Sequence, residues 1–141
     1  MNKIDRILEN WKKYEENSIK AIEIWERIAD KMTKRQKREV VSLVLRGIFK
    51  IDYLKRNLKR WEKKGNDINE YKAAIARSMI AWDKMEDEIW SLDREERKKV
   101  MEILHPKMKE FDKKMKYKIR SLKKSGKSLS MDEIRKILGG K

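Results

Sequence analysis

The sequence predicts an all-α protein: an antiparallel up-down-up-down four-helix bundle of long helices, followed by a short C-terminal helix. Three observations carry this. Five Gly and one Pro stand against 45% charged residues, the composition of a chain that runs in long helices. Apolar residues recur at spacings of three and four, which is one face of a helix. A capping residue followed three positions later by Glu or Gln recurs where one apolar stripe stops and the next begins.

The first stripe is Ile4, Ile7, Trp11, Tyr14, Ser18, Ala21, Trp25, Ile28 and Met32. Thr33 with Gln36 then has the spacing of a capping box and opens a second helix, whose face is Val40, Val44, Gly47, Ile51, Leu54, Leu58 and Trp61. Gly65-Asn66 ends it. Asp67 with Glu70 opens a third helix, with Ile68, Tyr71, Ile75, Ser78, Trp82, Met85 and Ile89 on one face. Asp93 with Glu96 opens a fourth, carrying Val100, Leu104, Met108, Phe111, Met115, Ile119 and Leu122. Pro106 falls inside it and predicts a kink or a break. Ser125-Gly126 ends this helix, and Ser130 with Glu133 caps a last one, MDEIRKIL. At 1.5 Å per residue the four long helices are roughly 35–45 Å each.

The predicted organisation is a bundle over residues 1–124, then a hinge and a short amphipathic helix over 125–141. A chain of 141 residues can bury a core without staples, and with no Cys it has none to use. The charged N-terminus MNKIDRILENWKK has no apolar signal-peptide core. The greasiest run, VVSLVLRGIFKI, is interrupted by Arg46 and Lys50, far short of the roughly 18 apolar residues of a membrane span. Together these predict a cytoplasmic protein with no membrane span. Abundant Lys and Glu with a single Gln is also a thermophile-like composition.

Catalysis has little to stand on. Glu102 and His105 form the E-x-x-H pair of di-iron bundles, but His105 is the only His, so the second pair such a site needs is missing. SGKS at 125–128 lacks the upstream glycine and the strand of a phosphate-binding loop. Glu86, Asp87 and Glu88 are consecutive on a helix, point in different directions and read as a solvated face. The expectation is a non-enzyme without cofactor or metal. Trp11, Trp25, Trp61 and Trp82 fall on apolar faces and read as core. Trp61, set in LKRWEKK, is the one that could instead stack on a base.

Charge is the informative feature. The net charge is +15; residues 31–64 contribute +10 and residues 107–127 contribute +8. Lys55, Lys59 and Lys63 form one row at spacing four, and Arg56, Arg60 and Lys64 a second. On the fourth helix Lys109, Lys113, Lys116, Arg120, Lys123 and Lys127 make a cationic stripe. In an up-down-up-down bundle the C-terminal halves of the second and fourth helices lie at one end. Lys34, Arg35, Lys37 and Arg38 are then expected at the other, with the acidic groups. A concentrated basic end is the footprint of a polyanion. The expected function is sequence-nonspecific binding of DNA or RNA through Lys55, Arg56, Lys59, Arg60, Lys63, Lys64, Lys113, Lys116, Arg120, Lys123 and Lys127, with phosphate contacts and no base reading. Leu45 and Phe49 sit off the core stripe, four apart, and predict a homo-oligomer interface. Residues 131–138 are a candidate segment for a protein partner. The alternative function is a protein–protein interaction module or assembly subunit with an acidic partner.

Overall fold

A computed structural model describes residues 2–139; Met1, at the start of the predicted bundle, and Gly140 and Lys141, at the end of the predicted tail, lie outside the described residues. Among the described residues there are six α-helices, one 3-10 turn and no strand: α1 (Lys3–Ile28), the 3-10 turn Ala29–Lys31, α2 (Lys34–Phe49), α3 (Ile51–Lys64), α4 (Asp67–Trp90), α5 (Arg94–Lys124) and α6 (Met131–Leu138). None of these helices is long and apolar enough to cross a membrane.

The helix starts follow the chemistry of the capping residues. The side chains of Asn2, Thr33, Asn66, Asp93 and Ser130 each accept a hydrogen bond from the backbone N–H three residues on, satisfying a donor left unpaired at a helix N-terminus. Thr33 and Gln36 form the full capping box. Gly65 stops α3 in the left-handed conformation, φ +58, and Asn66, one residue before the Asp67 expected, caps α4. α5 runs unbroken through Pro106. Both Pro106 and Glu102, whose carbonyl the proline deprives of a donor, are exposed, so water can take the freed carbonyl.

The single second helix expected over 34–64 is instead two, broken at Lys50 (φ −141, ψ 83). Paired contacts fix how α2 and α3 lie. Gly47 of α2, Leu54 of α3 and Met79 of α4 meet at one level. Glu39 of α2 and Trp61 of α3 both sit against Lys72 of α4 at the next level. From Lys50, therefore, α3 folds back along α2, and the two form a hairpin on α4. Arg46 over the Tyr53 ring, 5.2 Å from its centre, closes the turn.

Arg6 at the start of α1 pairs with Glu88 at the end of α4, and Arg27 at the end of α1 pairs with Asp67 at the start of α4. These two helices therefore run in opposite directions. α5 runs with α1: Val100 lies in one cluster with Ile7, and Lys118 reaches Glu26 at 3.2 Å. The first and last long helices are therefore parallel and not opposed as four alternating helices would be, because the break at Lys50 adds a reversal. Three apolar clusters make the core. One joins α1, α4 and α5 through Ile7, Trp11, Met85, Leu104 and Phe111. A second seats the hairpin on α4 through Leu43, Leu54, Trp61 and Ala76. The third joins α1 and α4 through Ala21, Ile24, Ile28 and Ala74. The small alanines of α4 bring its backbone close to two neighbours at once.

Candidate nucleic-acid interface

Four elements reach the same end of the molecule. α1 ends there at Ile28, and α4 begins beside it through the Arg27–Asp67 pair of 3.2 Å. α5 ends there, because the Trp25 indole donates to the Lys127 carbonyl at 2.8 Å. The Lys127 ammonium in turn donates to the Glu26 carbonyl at 3.2 Å. α3 ends there because it leads directly into α4. The two cationic segments singled out from the sequence thus converge, though by another route than expected: α3 rises to this end because the chain reverses at Lys50.

The same reversal moves the start of α2. Glu39 pairs with Lys72 at 2.8 Å, five residues into α4. Arg38 is the residue before it and Arg35 and Lys34 lie about a turn beyond; Arg35 and Arg38 share a cavity lining with Trp61 near the end of α3. The expectation that Lys34, Arg35, Lys37 and Arg38 stand at the opposite end is corrected here: they join the basic end. Sequence reasoning missed them because it carried α2 straight on into α3. α2 also touches α6 through the Lys37–Glu133 pair of 3.2 Å, so its start lies between the end of α3 and the segment that follows α5.

The predicted residues differ in what they can offer a ligand. Lys59, Arg60, Lys63 and Lys64 are exposed along α3, as are Lys113, Arg120 and Lys123 along α5. Arg56 donates weakly to the Asp52 carbonyl at 3.4 Å. Lys55 lies 3.8 Å from Asp83, and Lys116 pairs with Asp112 at 3.1 Å. Lys127 is drawn inward to Glu26 and Asp30. The firmest ligand-facing set is therefore α3 from Lys59 onward with Arg120 and Lys123. α3 and α5 flank the α1–α4 pair, and their backbones do not meet, so a strand engaging both must span the end of the molecule.

Trp61 is 3% exposed and packs into the hairpin core, which removes it as a base-stacking group. An aromatic that does face solvent among the cations of this end is Tyr117, 76% exposed on α5 between Lys113, Lys114, Lys116 and Arg120. The signal was in the sequence KKMKYKIR, where the tyrosine falls off the apolar stripe. Of the other tryptophans, Trp11 is buried in the α1–α4–α5 cluster, Trp25 is half-buried, and Trp82 is partly exposed. Trp90 is exposed, with the Arg97 guanidinium 4.8 Å from its ring centre. On α2, Phe49 is 80% exposed and Ile48 62%, while Leu45, at 38%, also borders a groove between α2 and α5.

Compared with known protein families, curated proteins and solved structures, the chain matches none.

Proposed function

We propose that this protein binds nucleic acid without sequence preference, by phosphate contacts at its basic end, and acts without catalysis as a homo-oligomer in the cytoplasm. The observation that supports the reading most is the convergence of three cationic helix ends: the C-terminal part of α3, the N-terminal turn of α2 and the last turns of α5. Helix C-termini carry partial negative charge and favour one or two cations each; rows of four-spaced Lys and Arg exceed that need. Glu26, Asp30, Asp67 and Glu70 also stand at this end and take up Arg27, Lys118 and Lys127. The cations of α2, α3 and α5 that remain outside those pairs give a broad surface suited to backbone contact without base reading. In this reading residues 1–124 act as a single four-helix-bundle unit, with the α2–α3 hairpin in the place of one long helix. Residues 125–141 form a hinge and tail. Tyr117 adds a stacking face beside the phosphate-binding cations, a combination suited to a single strand.

Titration against single- and double-stranded DNA and RNA, at 50 and 200 mM salt, tests this directly. If about six cations contact phosphates, affinity falls by roughly 10³-fold between the two conditions. Absence of binding at 50 mM salt would remove the proposal.

A further inference from the structure

A groove of about 630 Å³ opens between α2 and the upper half of α5, floored by α1 and α4. Its wall is apolar: Val40, Val44 and Leu45 on one side, Met115, Ile119 and Leu122 on the other. Trp25, Tyr71 and the hydrogen-bonded hydroxyls of Ser18 and Ser78 lie on its floor. Among the described residues no charged one lines it. It exists because α4 and α5 approach closely only near the start of α5, where Val100 shares a cluster with Met85, and the backbone of α2 stays clear of both α5 and α1. From Tyr14 to Trp25 the floor is about 17 Å long, three turns of helix.

The chain itself shows what this groove accepts. α6 lies across its upper end with Ile134 and Leu138 lining the apolar wall, while Glu133 pairs with Lys37 of α2 at 3.2 Å. Aliphatic side chains four apart point inward, and a carboxylate on the same helix meets a rim cation. That is the helix-in-groove mode. α6 has only eight residues, none of them buried, and the groove remains open beneath it. Cations stand beside the apolar residues of both walls: Lys37 on α2, which meets Glu133 of α6, and the exposed Arg120 and Lys123, next in sequence to Ile119 and Leu122 on α5.

We propose that this groove is a docking site for an acidic amphipathic helix of a protein partner, seated between α2 and α5 in the manner of α6. The apolar face of the partner fills the slot and its carboxylates meet Lys37, Arg120 and Lys123. A nucleic acid has no use for an uncharged apolar slot, so this site stands independently of the basic-end proposal although the two share rim cations.

The test uses the full chain and two labelled helical peptides of about 15 residues. Both carry Leu at i, i+4, i+7 and i+11; one has Glu and the other Lys on its polar face. Fluorescence anisotropy should show the acidic peptide binding and its basic twin not. Val44→Asn with Ile119→Asn changes no charge at two partly exposed positions, so it leaves the fold, checked by circular dichroism, and nucleic-acid affinity unchanged. It should weaken the acidic peptide at least about tenfold, because less apolar surface is buried. Equal binding of both peptides, no binding of either, or an unaltered affinity in the double variant overturns the proposal. So does displacement of the peptide by dilauroyl phosphatidylglycerol vesicles but not by unlabelled peptide, which would make the occupant a lipid chain. Concentration-dependent dimerisation abolished by the same double variant would make the occupant a second copy and overturns it equally.

Discussion

The Lys72 ammonium lies 2.8 Å from a carboxylate oxygen of Glu39 and 5.9 Å from the centre of the Trp61 ring. One side chain of α4 thereby holds both arms of the hairpin. Its own side chain is only 13% exposed, so the ion pair is less screened than a surface pair. The cation over Trp61 adds a second attraction in the same place. Lys72→Met keeps the aliphatic stem and removes the charge. It should destabilise the protein by about 1–2 kcal/mol, seen as a midpoint lowered by several degrees with a red shift of tryptophan emission as Trp61 loosens. An unchanged midpoint would mean that the hairpin is held by apolar packing alone.

The helix starts were legible because the caps use local chemistry: Thr33, Asp93 and Ser130 bond backbone groups three residues away, and sequence spacing displays this. The break at Lys50 was not. Gly47, Ile51 and Leu54 keep helical spacing straight across it, and neither Gly nor Pro stands at the break itself. Beside the break Leu54 and Met79 pack against Gly47, a tertiary fit that periodicity cannot see. Leu43, 2% exposed, lies off the predicted stripe because folding back gives α2 a second buried face toward α3. The cations themselves were legible as residues. Their placement failed for Lys34, Arg35, Lys37 and Arg38 because a reversal of direction carries no charge signature.

Gly47 is the close-approach point of the hairpin. A Cβ there would meet Leu54 Cδ1, Met79 Cε and Met79 Sδ, each at 3.1 Å. These are ends of flexible side chains, so Gly47→Ala should be close to neutral, crowding offsetting a helix-propensity gain of about 1 kcal/mol. Gly47→Leu cannot be absorbed and should destabilise by about 1–3 kcal/mol. Urea denaturation of the two variants checks the contrast; equal stabilities would show that the hairpin does not close on this position.

Burial pushes the Tyr71 hydroxyl up to about 12 from an ordinary 10, and the ring packs 5.4 Å from Trp25. Below pH 10 the phenol is neutral in folded and unfolded chains and has no effect on stability. Between pH 10 and 12 the unfolded chain ionises while the folded one resists, so stability falls as pH rises. Wild type should lose stability more steeply than Tyr71→Phe in that window and not below it. Parallel denaturation profiles from pH 9 to 12 would refute the buried, protonated tyrosine.

Ile48 and Phe49 form the most exposed apolar pair on α2, at the turn into α3 and clear of the groove. If copies of the chain associate here, each side chain buried contributes roughly 1.5–3 kcal/mol. Ile48→Glu with Phe49→Glu should convert the oligomer to monomer while circular dichroism stays unchanged. Light scattering decides it, and a wild type that is monomeric at high concentration sinks the proposed homo-oligomer.

The basic end is best tested by three triple variants that remove the same formal charge. Lys59, Arg60 and Lys63 to Ala strips the end of α3. Lys34, Arg35 and Arg38 to Ala strips the start of α2, which the hairpin brings alongside. Arg94, Lys98 and Lys99 to Ala removes exposed cations from the first turns of α5, at the far end near Ile7 and Leu92. Removing a cation that touches a phosphate should lower the salt slope by about one unit. The first two variants should therefore weaken binding strongly and to all sequences alike, with flatter salt dependence, while the third changes both much less. Equal weakening in all three would reduce the interface to diffuse attraction by net charge. Weakening confined to the α3 variant would instead return the site to one helix and leave the start of α2 without a role in it.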